Sequence, residues 1–158
     1  MNLRKKTAGL LATAVVLAGT ALTSAIPVQA AAGAEASVNA VEPTLSVDAD
    51  VPVGIKWVSR YSETPCSPGQ LCLSVKDPTK GADKYWKVYQ LSACNVIYKI
   101  YNWEGGGFWV NKQTGGAYGT FYAGDNGDGA YNHTAPSPPT SSGEYGWTPI
   151  NSVRACKE

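Results

Sequence analysis

From Gly54 to the C-terminus the chain consists of short runs of β-branched and aromatic residues, cut at close intervals by glycine, proline, asparagine and aspartate. No stretch there carries apolar residues at the three-and-four spacing of an amphipathic helix. Short apolar and aromatic runs bounded by turn residues specify strands. The expected fold class is therefore all-β, with several antiparallel strands closing into a small sandwich or barrel.

Within that frame, Leu71, Leu73 and Val75 fall on one face of a strand and Cys72, Ser74 and Lys76 on the other, because successive side chains alternate. Residues 77–81 are turn-rich, and 85–92 alternate again, with Trp86 and Val88 opposite Tyr85, Tyr89 and Leu91. The two runs predict a hairpin with a longer loop. Residues 96–103, closed by Glu104-Gly105-Gly106-Gly107, predict a second turn-back into 108–113. Gly115-Gly116 then leads into 117–122, and Asn126-Gly127 with Asp128-Gly129 leads towards Ala130-Tyr131-Asn132-His133. Residues 134–146, rich in proline, serine and glycine, read as a surface loop. Residues 147–156 read as a closing strand that a Greek-key connection would return to the first.

The N-terminus addresses the chain to the cell exterior. Arg4, Lys5 and Lys6 precede an apolar run over 8–22, and Val28-Gln29-Ala30 has the small-residue pattern of a signal-peptidase site. The expected organisation is a removed signal peptide at 1–30, a flexible segment at 31–53 and one domain at 54–158. No second long apolar run and no lipid-accepting cysteine after the site predict a membrane anchor, so the expected destination is extracellular, as a monomer.

Four cysteines in an exported chain favour two disulfides, and three pairings are formally possible. The turn sequence Ser67-Pro68-Gly69 brings Cys66 towards Cys72, which leaves Cys94 for Cys156. A closed loop as long as the second lowers the entropy of the unfolded chain by the equivalent of about 4 kcal/mol. Zinc is the competing use of these cysteines, but there is one histidine and no Cys-x-x-Cys pair. No metal and no cofactor are expected.

Charge and chemistry narrow the function. Three of the 13 basic residues lie in the leader, leaving ten against 12 acids and a formal charge of −2 with His133 neutral. That excess of acid argues against a nucleic-acid partner. No nucleophile elbow surrounds any serine, His133 lies in a turn-like Asn-His-Thr stretch, and no spacing singles out Glu104 and Asp125 as a glycosidase pair. No catalytic residue is assigned, and the chain reads as a non-enzyme. Asp125-Asn126-Gly127-Asp128-Gly129 places glycines where an EF-hand needs oxygen ligands, so a hairpin turn is the better reading. Most of the aromatic residues between the glycine-rich turns are expected to alternate into a small core; those beside amides remain as a binding signal for a glycan or a protein partner, with Trp103, Trp109 and Tyr122 the candidate exposed face.

The segment Cys66-Ser67-Pro68-Gly69-Gln70-Leu71-Cys72-Leu73, a Tyr-rich strand ending at Cys94, the turn Asn102-Trp103-Glu104-Gly105-Gly106 and the late Cys156 resemble small secreted actinobacterial proteins. These form the crystallin-like peptidase-inhibitor group of the Streptomyces metalloproteinase inhibitor type. The resemblance spans 61–156 and is most specific in the Cys-x-Pro-Gly-x-x-Cys-Leu opening. It implies a βγ-crystallin-like Greek-key sandwich, and an extracellular peptidase as partner, blocked by an exposed loop. The chain departs from the crystallin pattern in lacking its paired calcium-binding signatures. Ser67, Pro68, Gly69 and Gln70, inside the small disulfide ring, form one candidate inhibitory loop; residues 135–146 form another.

Overall fold

A computed structural model describes residues 39–134, 136 and 140–157. The leader, residues 31–38 and several residues of the proline-rich segment lie outside the described residues. Among the described residues, ten strands build two five-stranded antiparallel sheets packed as a sandwich. The strands are β1 (Thr44–Val47), β2 (Val53–Val58), β3 (Leu71–Lys76), β4 (Trp86–Leu91) and β5 (Tyr98–Tyr101), then β6 (Gly106–Asn111), β7 (Tyr118–Tyr122), β8 (Ala130–His133), β9 (Ser141–Gly146) and β10 (Ser152–Lys157). One sheet runs β1-β5-β10-β7-β8 and the other β2-β4-β3-β6-β9.

From β3 onward the chain traces the same path twice. β3 and β4 form a hairpin, β5 crosses to the opposite sheet, and β6 returns to pair with β3. β7 and β8 repeat the hairpin, β9 crosses, and β10 returns beside β7. Each half thus lends its third strand to the other half's sheet.

Alternation decides the core. Leu71, Leu73, Val75, Tyr89 and Leu91 point inward from one sheet, facing Tyr98, Ile100, Phe121 and Val153 from the other. Trp103 and Trp147 close one end, in edge-to-face contact at 5.3 Å, with Tyr89 stacked on Trp103 at 4.9 Å. Burying an indole or phenol strands a donor unless an acceptor is supplied. Each finds one: Trp147 Nε1 donates to Ser74 O, Trp103 Nε1 to Thr44 O and the Tyr89 hydroxyl to Pro43 O. Burial, with Glu42 and Asp77 near, pushes the Tyr89 phenol well above its ordinary pKa, so it remains a donor.

The cysteines pair as Cys66–Cys72 and Cys94–Cys156, and among the described residues none is free. In β10 the register against β7 slips between Arg154 and Lys157, so that two residues face one. This bulge buries Ala155 and Cys156 in succession. Cys156 can then meet Cys94 on the β4–β5 connection.

Four expectations need correction. The ordered body starts before Gly54: β1 lies wholly inside the segment expected to be flexible, and β2 begins at Val53. Leu45 and Val47 pack against the core there, and the carbonyls of Pro43 and Thr44 accept the bonds just named. The turn at 104–107 does not close a hairpin, because β6 pairs with β3 and β9 in the opposite sheet from β5. The turn at Gly115-Gly116 likewise carries the chain between sheets. The supposed loop at 134–146 ends in a strand, since Ser141–Gly146 pairs with β6 along its length.

Candidate functional site

β3 occupies the centre of its sheet and is buried on both faces, including Cys72 and Ser74 on the face turned away from the core. A sheet face without a second layer would leave those two residues wet. The connection between β2 and β3, residues 59–70, covers them as a strap laid across the outer face.

Local chemistry pins the strap at each step. Ser62 N–H donates to Ser59 O at 3.2 Å, and the two serine hydroxyls lie 2.7 Å apart. Arg60 O accepts from the Trp86 indole at 3.2 Å, and Thr64 Oγ1 meets Ser74 Oγ at 2.7 Å. Pro65 O accepts from Gln90 Nε2 at 2.8 Å, and the Cys66–Cys72 bridge follows immediately. Within the bridge, Gln70 N–H donates to Ser67 O, with Pro68 second and Gly69 third at a φ of +82°. Those are the requirements of a type II turn. Two ladder bonds, Gly69 N to Lys112 O and Lys112 N to Gln70 O, fasten this turn to the end of β6.

Beneath the strap lies an open groove of 620 Å³. Trp86, Phe108 and Val110 form its floor, Tyr61 and Thr64 one wall, and β9 the other through Ser142 and Glu144. Its charges balance, with Arg60 and Lys112 against Glu63 and Glu144. Trp86 stands edge-on to both Tyr85, at 4.8 Å, and Phe108, at 5.2 Å. Arg60 and Lys76 each lie 5.5 Å from the centre of the Tyr85 ring.

The proposed aromatic face is not assembled. Trp103 is 3% exposed and belongs to the core, and Tyr122 is 5% exposed on β7 of the other sheet. Trp109 is half-buried on the inward side of β6, its ring lying over Gly143. Neighbouring asparagines suggested wet surroundings, but the Trp103 donor finds the Thr44 carbonyl on β1. The aromatic residues that line the surface groove are Tyr61, Trp86, Phe108 and Trp109, so of the three candidates Trp109 alone reaches it. Alternation had already set Trp86 opposite Tyr89 and Leu91; the missing signal was the strap, which turns that outer face into a groove. Ser67, Pro68 and Gly69 are exposed and Gln70 half-buried. The second candidate loop, 135–146, lies in part outside the described residues.

The remaining candidates are dispersed. His133 is exposed on β8 with Nδ1 3.0 Å from Thr134 O, and its ring is 5.4 Å from Tyr118. Glu104 is exposed on the β5–β6 turn and Asp125 on the β7–β8 turn. Residues 125–129 form that second turn, closed by Gly124 N to Asp128 O and Ala123 N to Gly129 O. Among the described residues no group of three or more histidine, cysteine, aspartate or glutamate side chains is placed to hold a metal ion, and no helix is long and apolar enough to cross a membrane.

Buried charge collects on the opposite face of β4, beside Trp86. Lys87 sits between the rings of Trp57 and Tyr89, bonded to Glu42 at 2.6 Å and Pro43 O at 2.9 Å. Nearby, Asp77 accepts from the Trp57 indole, the Thr79 hydroxyl and Thr79 N–H. Burial pushes the Asp77 carboxyl up, but these bonds, with Lys87 close by, outweigh it and hold its pKa below the ordinary value. Every group in this cluster is satisfied by the fold, and its role is structural.

No protein-family model, no curated protein and no solved structure matches the chain.

Proposed function

We propose that the protein is a secreted, monomeric, non-enzymatic binder that blocks an extracellular peptidase through the strap at 59–70. The observation that carries this reading is the strap's combination of an exposed outer edge with flanks fixed by side-chain bonds and a disulfide. A loop already held in its bound shape loses little freedom on association, so more of its contact energy appears as affinity. The resemblance in the Cys66–Leu73 region points to the same activity. The crystallin-like Greek-key assignment belongs to this proposal too; the twice-traced path, each third strand exchanged between sheets, supports it. Titration of the disulfide-bonded protein against secreted metallo- and serine peptidases tests the activity. Stoichiometric inhibition of at least one is expected. Absence of inhibition at micromolar concentration across both classes would sink the reading.

A second reading, glycan binding, is favoured by the groove, where aromatic rings and side chains of both charges converge. Because Trp86 and Phe108 meet at 81°, they offer no flat platform, and the ligand would be a single glycan strand. Retention on insoluble cell-wall glycan, abolished by Trp86→Ala in folded protein, would put this reading first.

A further inference from the structure

Resting on the inhibitor reading, we infer that Tyr61 is the anchor of the strap and that the target is a peptidase whose primary specificity pocket accepts an aromatic side chain. Tyr61 is 93% exposed, the most exposed of the large apolar side chains among the described residues. An isolated exposed ring needs no explanation by itself. Here the backbone on either side is immobilised: Arg60 O is held by Trp86, Ser62 N–H by Ser59 O, and Thr64 by Ser74. A rigid aromatic projecting from a fixed backbone is the arrangement of a binding hot spot, since two torsions are all that docking must freeze.

The neighbours decide the chemistry of the pocket. Arg60 would suit a peptidase that selects basic residues, but its guanidinium is folded back over the Tyr85 ring at 5.5 Å. Ser62 is small, and Glu63 is anionic and lines the groove. Tyr61 is left as the one large side chain presented outward at the tip. The Ser59–Ser62 turn also keeps the backbone around residue 61 bent, whereas a cleavable substrate lies extended. Tyr61 therefore enters as a side-chain plug, and the bond between Tyr61 and Ser62 survives in the complex.

The test compares wild type with Tyr61→Phe, Tyr61→Ala and Tyr61→Arg against three peptidases: a serine peptidase preferring aromatic residues, one preferring basic residues, and a metallopeptidase. Tyr61 makes no side-chain bond in the fold, so all variants should share the wild-type thermal midpoint. Wild type and Tyr61→Phe should inhibit the aromatic-preferring enzyme with similar constants, Tyr61→Ala should lose about 100-fold, and Tyr61→Arg should shift preference to the basic-selecting enzyme. Mass spectrometry of the complex should return an uncut chain. If wild type inhibits a peptidase and Tyr61→Ala inhibits it equally, the anchor is elsewhere and this inference falls while the inhibitor reading stands. If wild type inhibits none of the three, the inference is overturned with the reading beneath it.

Discussion

Gly107 shows how closely single residues are constrained in this sandwich. A Cβ built there would lie 2.0 Å from Ser74 O and 2.2 Å from Trp147 Nε1, the two atoms joined by the buried indole bond. The backbone of β3 and a core tryptophan have no slack to yield. Gly107→Ala should cost about 3 kcal/mol, read as a lower urea midpoint with unchanged slope. Asp77 gives a pH-dependent case. Its folded pKa lies below the ordinary value of 3.8, so its ionised form stabilises the fold above that value, and the contribution is lost as pH falls through the folded pKa. Asp77→Asn should therefore cost about 1 kcal/mol at neutral pH and flatten the loss of stability as pH falls below about 4, measured by urea unfolding at each pH. Residue-level reading of the sequence succeeded where alternation alone decides, as at Leu71, Leu73 and Val75. It failed at Trp103 and Tyr122, whose burial depends on chain segments distant in sequence: the carbonyl that takes the Trp103 donor lies on β1.

At the scale of elements, the two disulfides act on loops of very different length. Cys94 and Cys156 are 62 apart in sequence and Cys66 and Cys72 only 6. Loop entropy alone assigns about 4 kcal/mol to the first and about 2 kcal/mol to the second. Paired Cys→Ser variants, unfolded in denaturant, should separate in that order, with the Cys66/Cys72 variant retaining the sandwich. The strand at Ser141–Gly146 makes a further distinction. Tyr145 packs against Phe121 and Trp147, so Tyr145→Ala should destabilise the domain by about 2 kcal/mol or more, detectable as a lower thermal midpoint. The β3–β4 and β7–β8 hairpins were legible because each joins runs of matching alternation across turn residues. β1 and β9 were not. Thr44–Val47 has only two apolar positions, and Ser141–Gly146 is mostly serine and glycine, a strand because β6 offers it an edge. Turns at 104–107 and 115–116 were visible as turns, but nothing local to a turn states whether the chain returns to the same sheet.

For the molecule as a whole, the exchange of third strands makes the two halves interdependent. Residues 39–115 would leave β5 without β10, and residues 116–157 would leave β9 without β6. The separated fragments should each lack a cooperative unfolding transition, and an equimolar mixture should regain one, as followed by near-ultraviolet circular dichroism. All-β class and disulfide pairing could be anticipated at this scale because composition and turn chemistry are local. The groove could not, because it exists only where a strap from the β2–β3 connection crosses strands from both halves of the sequence. That strap has one more consequence. Its anchoring atoms are mainly backbone carbonyls, the disulfide and the Thr64 hydroxyl, while the side chain at its tip contributes nothing to the core. On the proposed inhibitor reading, recognition and foldedness are thereby written in different residues, and exchanging one target for another at position 61 would leave the stability of the molecule untouched.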